Sequence, residues 1–319
     1  MKTVSVVMAT YNGENYLREQ LDSILVQSYP VYELIIQDDC STDGTTDIVS
    51  QYIEKYPFIK LFVNEHNVGC NENFRLAAMH ATGDFVAFSD QDDIWFQQKL
   101  ERQVAAIGDS DICFSNTLDG STLDNSQLSR DIRYTIETTI WGNQASGHAM
   151  LCRRDFVQNP AHWLGYIYYD KSLVLHALIS GSVVKVDEPL NFHRRLPNSL
   201  TYTPLNAETW QPYVLGWRAY RRWQNHPPHQ WLYTYLYNKT LNTPHRTANN
   251  MCRLILRRDF ISLLRLCLLC MKHRNETYPT PPVQGIKGMV RGFFLPLLCA
   301  YGWLRMERYN KQRKENGII

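Results

Sequence analysis

Three carboxylates crowd four positions at Asp90-Gln91-Asp92-Asp93, directly after the uncharged run Phe85-Val86-Ala87-Phe88-Ser89. The run predicts a buried strand, and the acids form its carboxyl-terminal mouth. Ligands of open parallel sheets bind outside that end of the strands. Packed carboxylates repel one another more strongly as they lose water, so the cluster needs a cation. A hard divalent ion such as Mg²⁺ or Mn²⁺ prefers oxygen ligands and often binds through carboxylates together with substrate phosphates. The pattern points to a metal bridging protein and a phosphorylated ligand. A solvated acidic loop after a strand is the plain alternative for so short a motif.

The elements that must hold these acids alternate along the chain. Val4–Met8 predicts a first strand, and Asn12-Gly13 a turn, because both residues tolerate positive φ. A helix follows from about Glu14, with Leu17, Leu21, Ile24 and Leu25 on one face. Leu34-Ile35-Ile36 is a second strand, ending in a further acidic pair, Asp38-Asp39. A helix over Ile48–Tyr56, a strand Ile59–Val63, a helix Asn73–His80 and the strand Phe85–Ser89 complete a β-α-β-α-β-α-β order. That order predicts a mostly parallel sheet with helices on both faces. Two strand ends carrying paired acids place a nucleotide-sized cleft over one sheet edge. Beyond Trp95 a helix over Gln97–Ile107 and a strand at Ile112–Phe114 are expected, then a long loop or hairpin over 117–140. A strand at Gly147–Leu151, a buried helix over Leu173–Ile179 and a strand Val183–Val186 stopped by Asp187-Glu188-Pro189 follow. Asp170 falls at the start of that helix, where the dipole favours a carboxylate.

At 319 residues with 44% hydrophobic and 20% charged residues, the chain is no disordered segment. The net charge of +2 hides an asymmetry: residues 1–204 hold 15 Lys and Arg against 26 Asp and Glu, and residues 205–319 hold 18 against 5. Two domains are therefore expected, 1–204 and 205–319. The eight cysteines are scattered, mostly in apolar segments, which fits a reducing compartment. Cys267 and Cys270 read as apolar packing, since no second ligand pair follows at zinc spacing. No signal peptide and no apolar run of about 18 residues is visible, which predicts a cytoplasmic location.

From about Thr203 tryptophan, tyrosine and arginine dominate. Met251–Met271 and Ile286–Tyr309 predict two helices with apolar faces and flanking bases, and Lys311–Lys314 adds a basic cluster. Such helices suit the inner surface of a membrane, held by anionic lipid; an ordinary self-packed helical domain is the alternative. Nucleic acid is not expected, because the acidic half would repel a polyanion.

With these residues in place, the first 200 positions resemble family 2 glycosyltransferases of the GT-A fold. The matching motifs, in order, are Val6-Val7-Met8-Ala9-Thr10-Tyr11-Asn12-Gly13, Asp38-Asp39-Cys40-Ser41-Thr42-Asp43-Gly44-Thr45, Asn67-Val68-Gly69, Gly83-Asp84-Phe85 and Ser89-Asp90-Gln91-Asp92-Asp93-Ile94-Trp95. Asn73-Phe74, the wording of the last motif and Gly147-His148 are most similar to the bacterial rhamnosyltransferase branch, which builds O-antigens and capsules. The resemblance implies a nucleoside-diphosphate-sugar donor, dTDP-rhamnose or a UDP-sugar, and a glycan acceptor, lipid-linked and met at the membrane. Thr10 and Tyr11 would face the base and ribose, with Asn12, Asn67, Gly69 and Asn73 around the donor. Asp39, beside Asp38, would accept a hydrogen bond from a pyrimidine N–H, and Asp90 would sit near the ribose or the sugar. Asp92 would ligate Mn²⁺ or Mg²⁺, with Asp93 in support, and the ion would stabilise the departing diphosphate. His148 and Trp95 would meet the acceptor.

Inverting transfer also needs a base for the acceptor hydroxyl. The family places a carboxylate for it at a helix start after the metal motif, and Asp170 stands there; Asp155 is the weaker candidate beside Arg153-Arg154. One departure concerns Glu188-Pro189-Leu190-Asn191-Phe192-His193-Arg194-Arg195-Leu196. Leu196 occupies the place of a metal-supporting histidine, so either His193 substitutes, or Arg194 and Arg195 hold the diphosphate directly, or the site is metal-poor. Phe74 replaces an arginine common in wider relatives. Two other readings stand beside this one: a Mg²⁺ phosphohydrolase using Asp90 and Asp92, and a non-catalytic partner that binds nucleotide-sugar or anchors an assembly complex.

Overall fold

β-Branched residues open the chain and build β1 (Val4–Thr10), which is buried along almost its whole length. α1 (Leu17–Leu25), β2 (Glu33–Asp38), α2 (Thr45–Ile53), β3 (Ile59–Val63), α3 (Cys70–Met79) and β4 (Phe85–Ser89) follow in the expected alternation. The computed structural model describes residues 1–129, 133–142, 146–196, 211–278 and 284–315. The expected boundary at 204 and the prolines at 279–282 lie outside the described residues.

β3, β2, β1 and β4 lie side by side and run parallel. Val4, Val6 and Met8 of β1 point to one face, where they join Leu17, Leu21 and Ile24 of α1 and Ile48 and Val49 of α2. Phe74, Ala77 and Ala78 of α3 are buried as well, and α3 packs on β1 and β2. Covering both faces explains why these strands read as unbroken apolar runs rather than alternating ones. The chain moves outward from β1 to β3 and then returns to the other side of β1 for β4. That reversal opens a crevice at the carboxyl ends of β1 and β4, beside Thr10-Tyr11 and Asp90.

The rest of the sheet is mixed. β5 (Ile94–Trp95), α4 (Lys99–Ile107), β6 (Ile112–Gly120) and β7 (Ser126–Leu128) come next, and β6 and β7 form an antiparallel hairpin within the stretch expected to be a loop or hairpin. α5 (Ile136–Trp141) is a short helix with a Thr135/Thr138 capping box. β8 (Met150–Arg153) runs antiparallel between β4 and β6; the expected strand at 147–151 begins instead with a 3₁₀ turn, Gly147–Ala149. α6 (Arg154–Val157) and α7 (Tyr169–Ser180) lead to β9 (Val183–Arg194). β9 does not stop at Pro189. It runs on beside β6 through register shifts around Asn116, whose side-chain amide donates to the Asp187 carbonyl at 2.6 Å. Such a bulge accommodates the N–H that proline lacks.

The chain divides into two units, Met1–Arg130 with Ala145–Arg195, and Asp131–Gln144 with Leu196–Ile319. The second is helical: α5, α8 (Gln211–Asn225), α9 (Pro227–Thr240), α10 (Arg246–Leu256), α11 (Phe260–Lys272), α12 (Arg274–Thr277) and α13 (Gly285–Glu315). Its core gathers Tyr220, Trp223, Tyr233, Met251, Leu266 and Leu297. Gly216 lets α8 and α13 approach closely, since a Cβ there would lie 2.8 Å from the Leu297 Cβ. The single helix expected over Met251–Met271 is two, because the Asp259 carboxylate accepts from Ser262 N at 2.7 Å and starts α11 afresh. No helix among the described residues is long and apolar enough to cross a membrane.

Candidate active site

The loops after β1 and β2 are tied together by their own polar residues. Asp38, fully buried, accepts from Thr10 Oγ1 at 2.8 Å and from the Ser41 backbone and hydroxyl at 2.8 and 2.6 Å. Asp39 accepts from Asn64 Nδ2 and from the backbone N–H groups of Val68 and Gly69, each at 2.8 Å. Gly69 has φ +84°, where a side chain is strained, and this lets the loop fold onto Asp39. Asn67 donates to the Asp39 carbonyl, and the buried Asn73 donates to the Gln37 carbonyl. Thr10, Asp38 and Asn73 therefore shape the wall of the crevice from inside it. Tyr11, half exposed, is the aromatic ring of this wall that solvent reaches, and Asn12 turns the chain with φ +47°. Gln91, between the acids of the motif, accepts from Tyr11 N at 2.9 Å and donates to Tyr11 O at 3.1 Å. Its side chain spans the β1–β4 crevice and fits there because residue 13 is glycine: a Cβ would meet Gln91 Cδ at 2.5 Å.

The acids themselves meet a histidine from the 3₁₀ turn before β8. Among the described residues, the one group of side chains that could hold a metal ion is Asp90, Asp93 and His148, whose ligand atoms lie within 4.8 Å of one another. His148 Nδ1 is 3.3 Å from Asp90 Oδ2 and 3.5 Å from Asp93 Oδ2. Asp93 is fully buried, and neither its Oδ2 nor His148 Nε2 makes a hydrogen bond. Burial drives Asp90 upward, but the His148 hydrogen bond and the charges of His148 and His193 outweigh it and hold that carboxyl low. Burial, then Asp93 and Asp90, push Asp92 up to about 7. Burial raises Asp93 too. A buried carboxylate oxygen without a hydrogen bond and three crowded acids fit a bound divalent cation, and carboxylates with one imidazole are donors that Mn²⁺ or Mg²⁺ accepts.

This grouping differs from the expected Asp92, Asp93 and His193. His193 Nδ1 faces Asp119 Oδ1 at 3.1 Å, and its ring stacks on His148 at 4.5 Å. Burial lowers its pKa, yet the Asp119 hydrogen bond and the charges of Asp93, Asp119 and Asp90 raise it to about 8. The Nδ1 of His193 is thus engaged by Asp119, and His193 is not in the group formed by Asp90, Asp93 and His148. Arg194 donates from its backbone to Asp93 Oδ1 at 3.1 Å, from Nε to the Asp92 carbonyl at 2.9 Å, and from Nη2 to Glu19 at 2.5 Å. It braces the acidic loop. Arg195, with 47% of its side chain exposed and 3.5 Å from Asp119, remains open to an anionic ligand. Trp95 is not brought to the surface: it is 2% exposed in the core.

α7 carries Asp170 in its first turn, and the carboxylate accepts from Lys171 N at 2.6 Å. The helix is located by Tyr169, which packs on Phe74 at 4.5 Å and Phe88 at 5.2 Å. Gly147 makes this possible, because a Cβ there would collide with the Tyr169 hydroxyl and lie 2.6 Å from its Cζ. Phe74, the departure from the wider pattern, thus belongs to the aromatic seat of α7. Asn71, two residues after the Gly69 whose N–H binds Asp39, accepts from Tyr169 N at 3.0 Å and donates to the Ile167 carbonyl at 3.1 Å, which ties the start of α7 to the Asp39 loop. Asp155, 91% exposed in its side chain, pairs with Arg154 at 3.4 Å.

Sequence reasoning missed Gln91, Asp119 and Lys99. Lys99 is fully buried, donates to Gln103 at 2.9 Å and lies 4.9 Å from the Trp95 ring centre. The signal for Lys99 was its place at the start of α4, one turn before Gln103 on the same helix face.

A three-layer α/β fold with acids at the β4 mouth and a mixed second half of the sheet is the GT-A fold. TarS of S. aureus, residues 1–349 in complex with UDP-GlcNAc, shares it: TM-score 0.54 over 97% of this chain and 92% of that one, at 17% identity. Residues 5–160 match the model of Glycosyl transferase family 2. EpsE of Bacillus subtilis (strain 168) is 48% identical over 105 residues, 33% of this chain and 38% of that protein. WfgD of Escherichia coli, a UDP-Glc:alpha-D-GlcNAc-diphosphoundecaprenol beta-1,3-glucosyltransferase, is 37% identical over 111 residues, 35% of this chain and 43% of that one. The chain thus spans less than half the length of these two curated relatives.

Proposed function

We propose that the protein is an inverting hexosyltransferase. It would move a sugar from a nucleoside-diphosphate sugar to a glycan acceptor, lipid-linked, in the making of a surface polysaccharide at the inner face of the cell membrane. The observation that carries this reading is the convergence of Asp90, Asp93 and His148 at the mouth of β4, with the Asp39 loop and the start of α7 joined beside them through Gly69 and Asn71. Among donors, a UDP-sugar is favoured over dTDP-rhamnose because WfgD is named for UDP-Glc and TarS was crystallised with UDP-GlcNAc. The lipid-linked acceptor is supported by the diphosphoundecaprenol in WfgD's name.

Tyr11 and the Asp39 loop line the place of the nucleoside. Asp90, Asp93 and His148, with Asp92 next to them, would hold Mn²⁺ or Mg²⁺, which when bound neutralises charge on the diphosphate. Arg195 adds a positive charge near the same edge. Asp170 takes the proton of the acceptor hydroxyl. The acceptor oxygen then bonds to the anomeric carbon as the bond from that carbon to the diphosphate oxygen breaks, and the nucleoside diphosphate leaves with its electron pair. Attack opposite the leaving group inverts the anomeric centre. Nucleoside-diphosphate release should be measured from UDP-, dTDP- and GDP-sugars with Mn²⁺, with and without a lipid-linked glycan. Release from one donor is expected, lost at least a thousandfold in Asp170→Asn while calorimetry shows donor still bound. Donor binding without turnover on any acceptor would move the reading to a non-catalytic partner; absence of donor binding would end it.

A further inference from the structure

The helical unit exposes a second set of apolar side chains besides those in its core. On α11 these are Phe260 (64% exposed), Ile261 (62%), Leu264 (39%) and Leu268 (45%). At the helical period they fall within an arc of roughly 100°, while Leu263, Leu266, Cys267 and Cys270 on the adjoining arc are buried. The first turns of α13 repeat the layout: Ile286, Met289 and Val290 are 81%, 43% and 45% exposed, and Gly288 and Gly292 are buried. The two helices are neighbours, for a Cβ on Gly292 would lie 3.1 Å from Met271 Cα. Exposed bases flank both stripes: Arg257 and Arg258 before α11, Arg265 and Lys272 on it, Lys287 and Arg291 on α13. Of the acids nearby, the Asp259 carboxylate is taken up by Ser262 at the start of α11.

We propose that α11 and the first turns of α13 are the surface on which the protein lies on an anionic lipid bilayer. The apolar side chains would enter the headgroup–acyl boundary and the bases would meet lipid phosphates. Charge complementarity selects this occupant. A second copy of the chain would bring the same bases face to face, and like charges across an interface are costly. Neither helix can span a membrane, so the contact is a lying-on one. The surface stands on its own geometry; only its setting beside a lipid-linked acceptor rests on the transferase reading.

The test is co-sedimentation of the full chain with vesicles of phosphatidylcholine alone and of phosphatidylcholine containing phosphatidylglycerol. Partition should require phosphatidylglycerol and fall with added salt. Each neutralised base should lower it about fivefold, so Arg265→Gln with Arg291→Gln should lower it roughly 25-fold. Ile261→Ser with Leu264→Ser, and Ile286→Ser with Val290→Ser, should each lower it at least tenfold, with circular dichroism unchanged because these side chains face solvent. Asp170→Asn should bind vesicles like the wild type, which keeps this test apart from that of the chemistry. Three results would overturn the proposal: no binding to anionic vesicles, serine variants that partition like the wild type, or a dimer in sedimentation velocity that the serine pairs dissolve.

Discussion

Gly147→Ala is the sharpest probe of how the fold holds the candidate base. A Cβ at this position would overlap the Tyr169 hydroxyl and stand 2.6 Å from Cζ and 3.2 Å from Cε2. Ordinary contact between carbons is about 3.5 Å or more, so the ring must retreat by about 1 Å. Tyr169 cannot retreat alone, because it is wedged against Phe74 and Phe88 and is the residue before Asp170. The start of α7 must move with it. Overpacking of this kind costs about 1–3 kcal/mol of stability, and displacing a catalytic group by about 1 Å costs on the order of 100-fold in turnover. Steady-state release of nucleoside diphosphate should therefore fall about 100-fold in kcat, while calorimetric donor affinity stays within a fewfold. Adding Tyr169→Phe removes the overlapping hydroxyl and should recover part of the loss. Turnover of Gly147→Ala near the wild-type level, or a double variant no better than the single, would refute the claim that this contact sets the position of α7.

Three further outcomes follow from groups elsewhere in the α/β unit. Glu33, 2% exposed, feels burial upward, but Lys60, Ser5 and Thr82 hold it at about 2 against an ordinary 4.5. Its folded pKa is depressed, so its contribution is present above the unfolded value and is lost as pH falls toward 2. The full shift is worth about 3 kcal/mol, of which about 2 is gone by pH 3. Urea unfolding at pH 5 and pH 3 should show that extra loss in the wild type and not in Glu33→Gln, whereas parallel losses would contradict it. Burial lowers Lys99 to about 7 from 10.5. Between those values the unfolded chain holds a proton that the folded chain lacks, so stability should rise with pH by several kcal/mol, about 5 at most. Lys99→Met should flatten that rise and be the more stable protein at pH 7; an unchanged slope counts against a buried, proton-poor lysine. Finally, Mn²⁺ binding read by electron paramagnetic resonance should weaken at least tenfold in Asp93→Asn and in His148→Ala and little in His193→Gln. Equal loss in all three would return His193 to the metal.

The first half of the sheet was legible because its information is local. The apolar runs at β1, β2 and β4 each end in the residues that face the crevice, and chain order alone puts those ends on one edge. Asp170 was legible for the same reason, as a carboxylate at a helix start. Other features were not. Pro189 looked like a strand end because a proline lacks the N–H that a ladder uses; the bulge around Asn116 that absorbs it belongs to another strand. Arg257-Arg258-Asp259 looked like the interior of one helix, since breaking it depends on a side-chain cap and on the Gln224 amide, which donates to the Arg257 carbonyl at 2.9 Å. Trp95 was expected at the acceptor from the resemblance, yet its burial depends on the core beneath β5.

The sequence by itself determined the order of the first strands and helices, the acid-bearing edge and the amphipathic character of the last hundred residues. These follow from periodicity and from neighbours a few residues apart. Only the tertiary structure decided which histidine meets the acids. His148 and Asp90 are separated by 58 positions, and His193 and Asp119 by 74. The pairing of β9 with β6 puts His193 opposite Asp119, and the antiparallel β8 delivers His148 to the mouth of β4. Register shifted by one residue reverses the face of every side chain on a strand, so such partners are set by how the strands pair rather than by residue type.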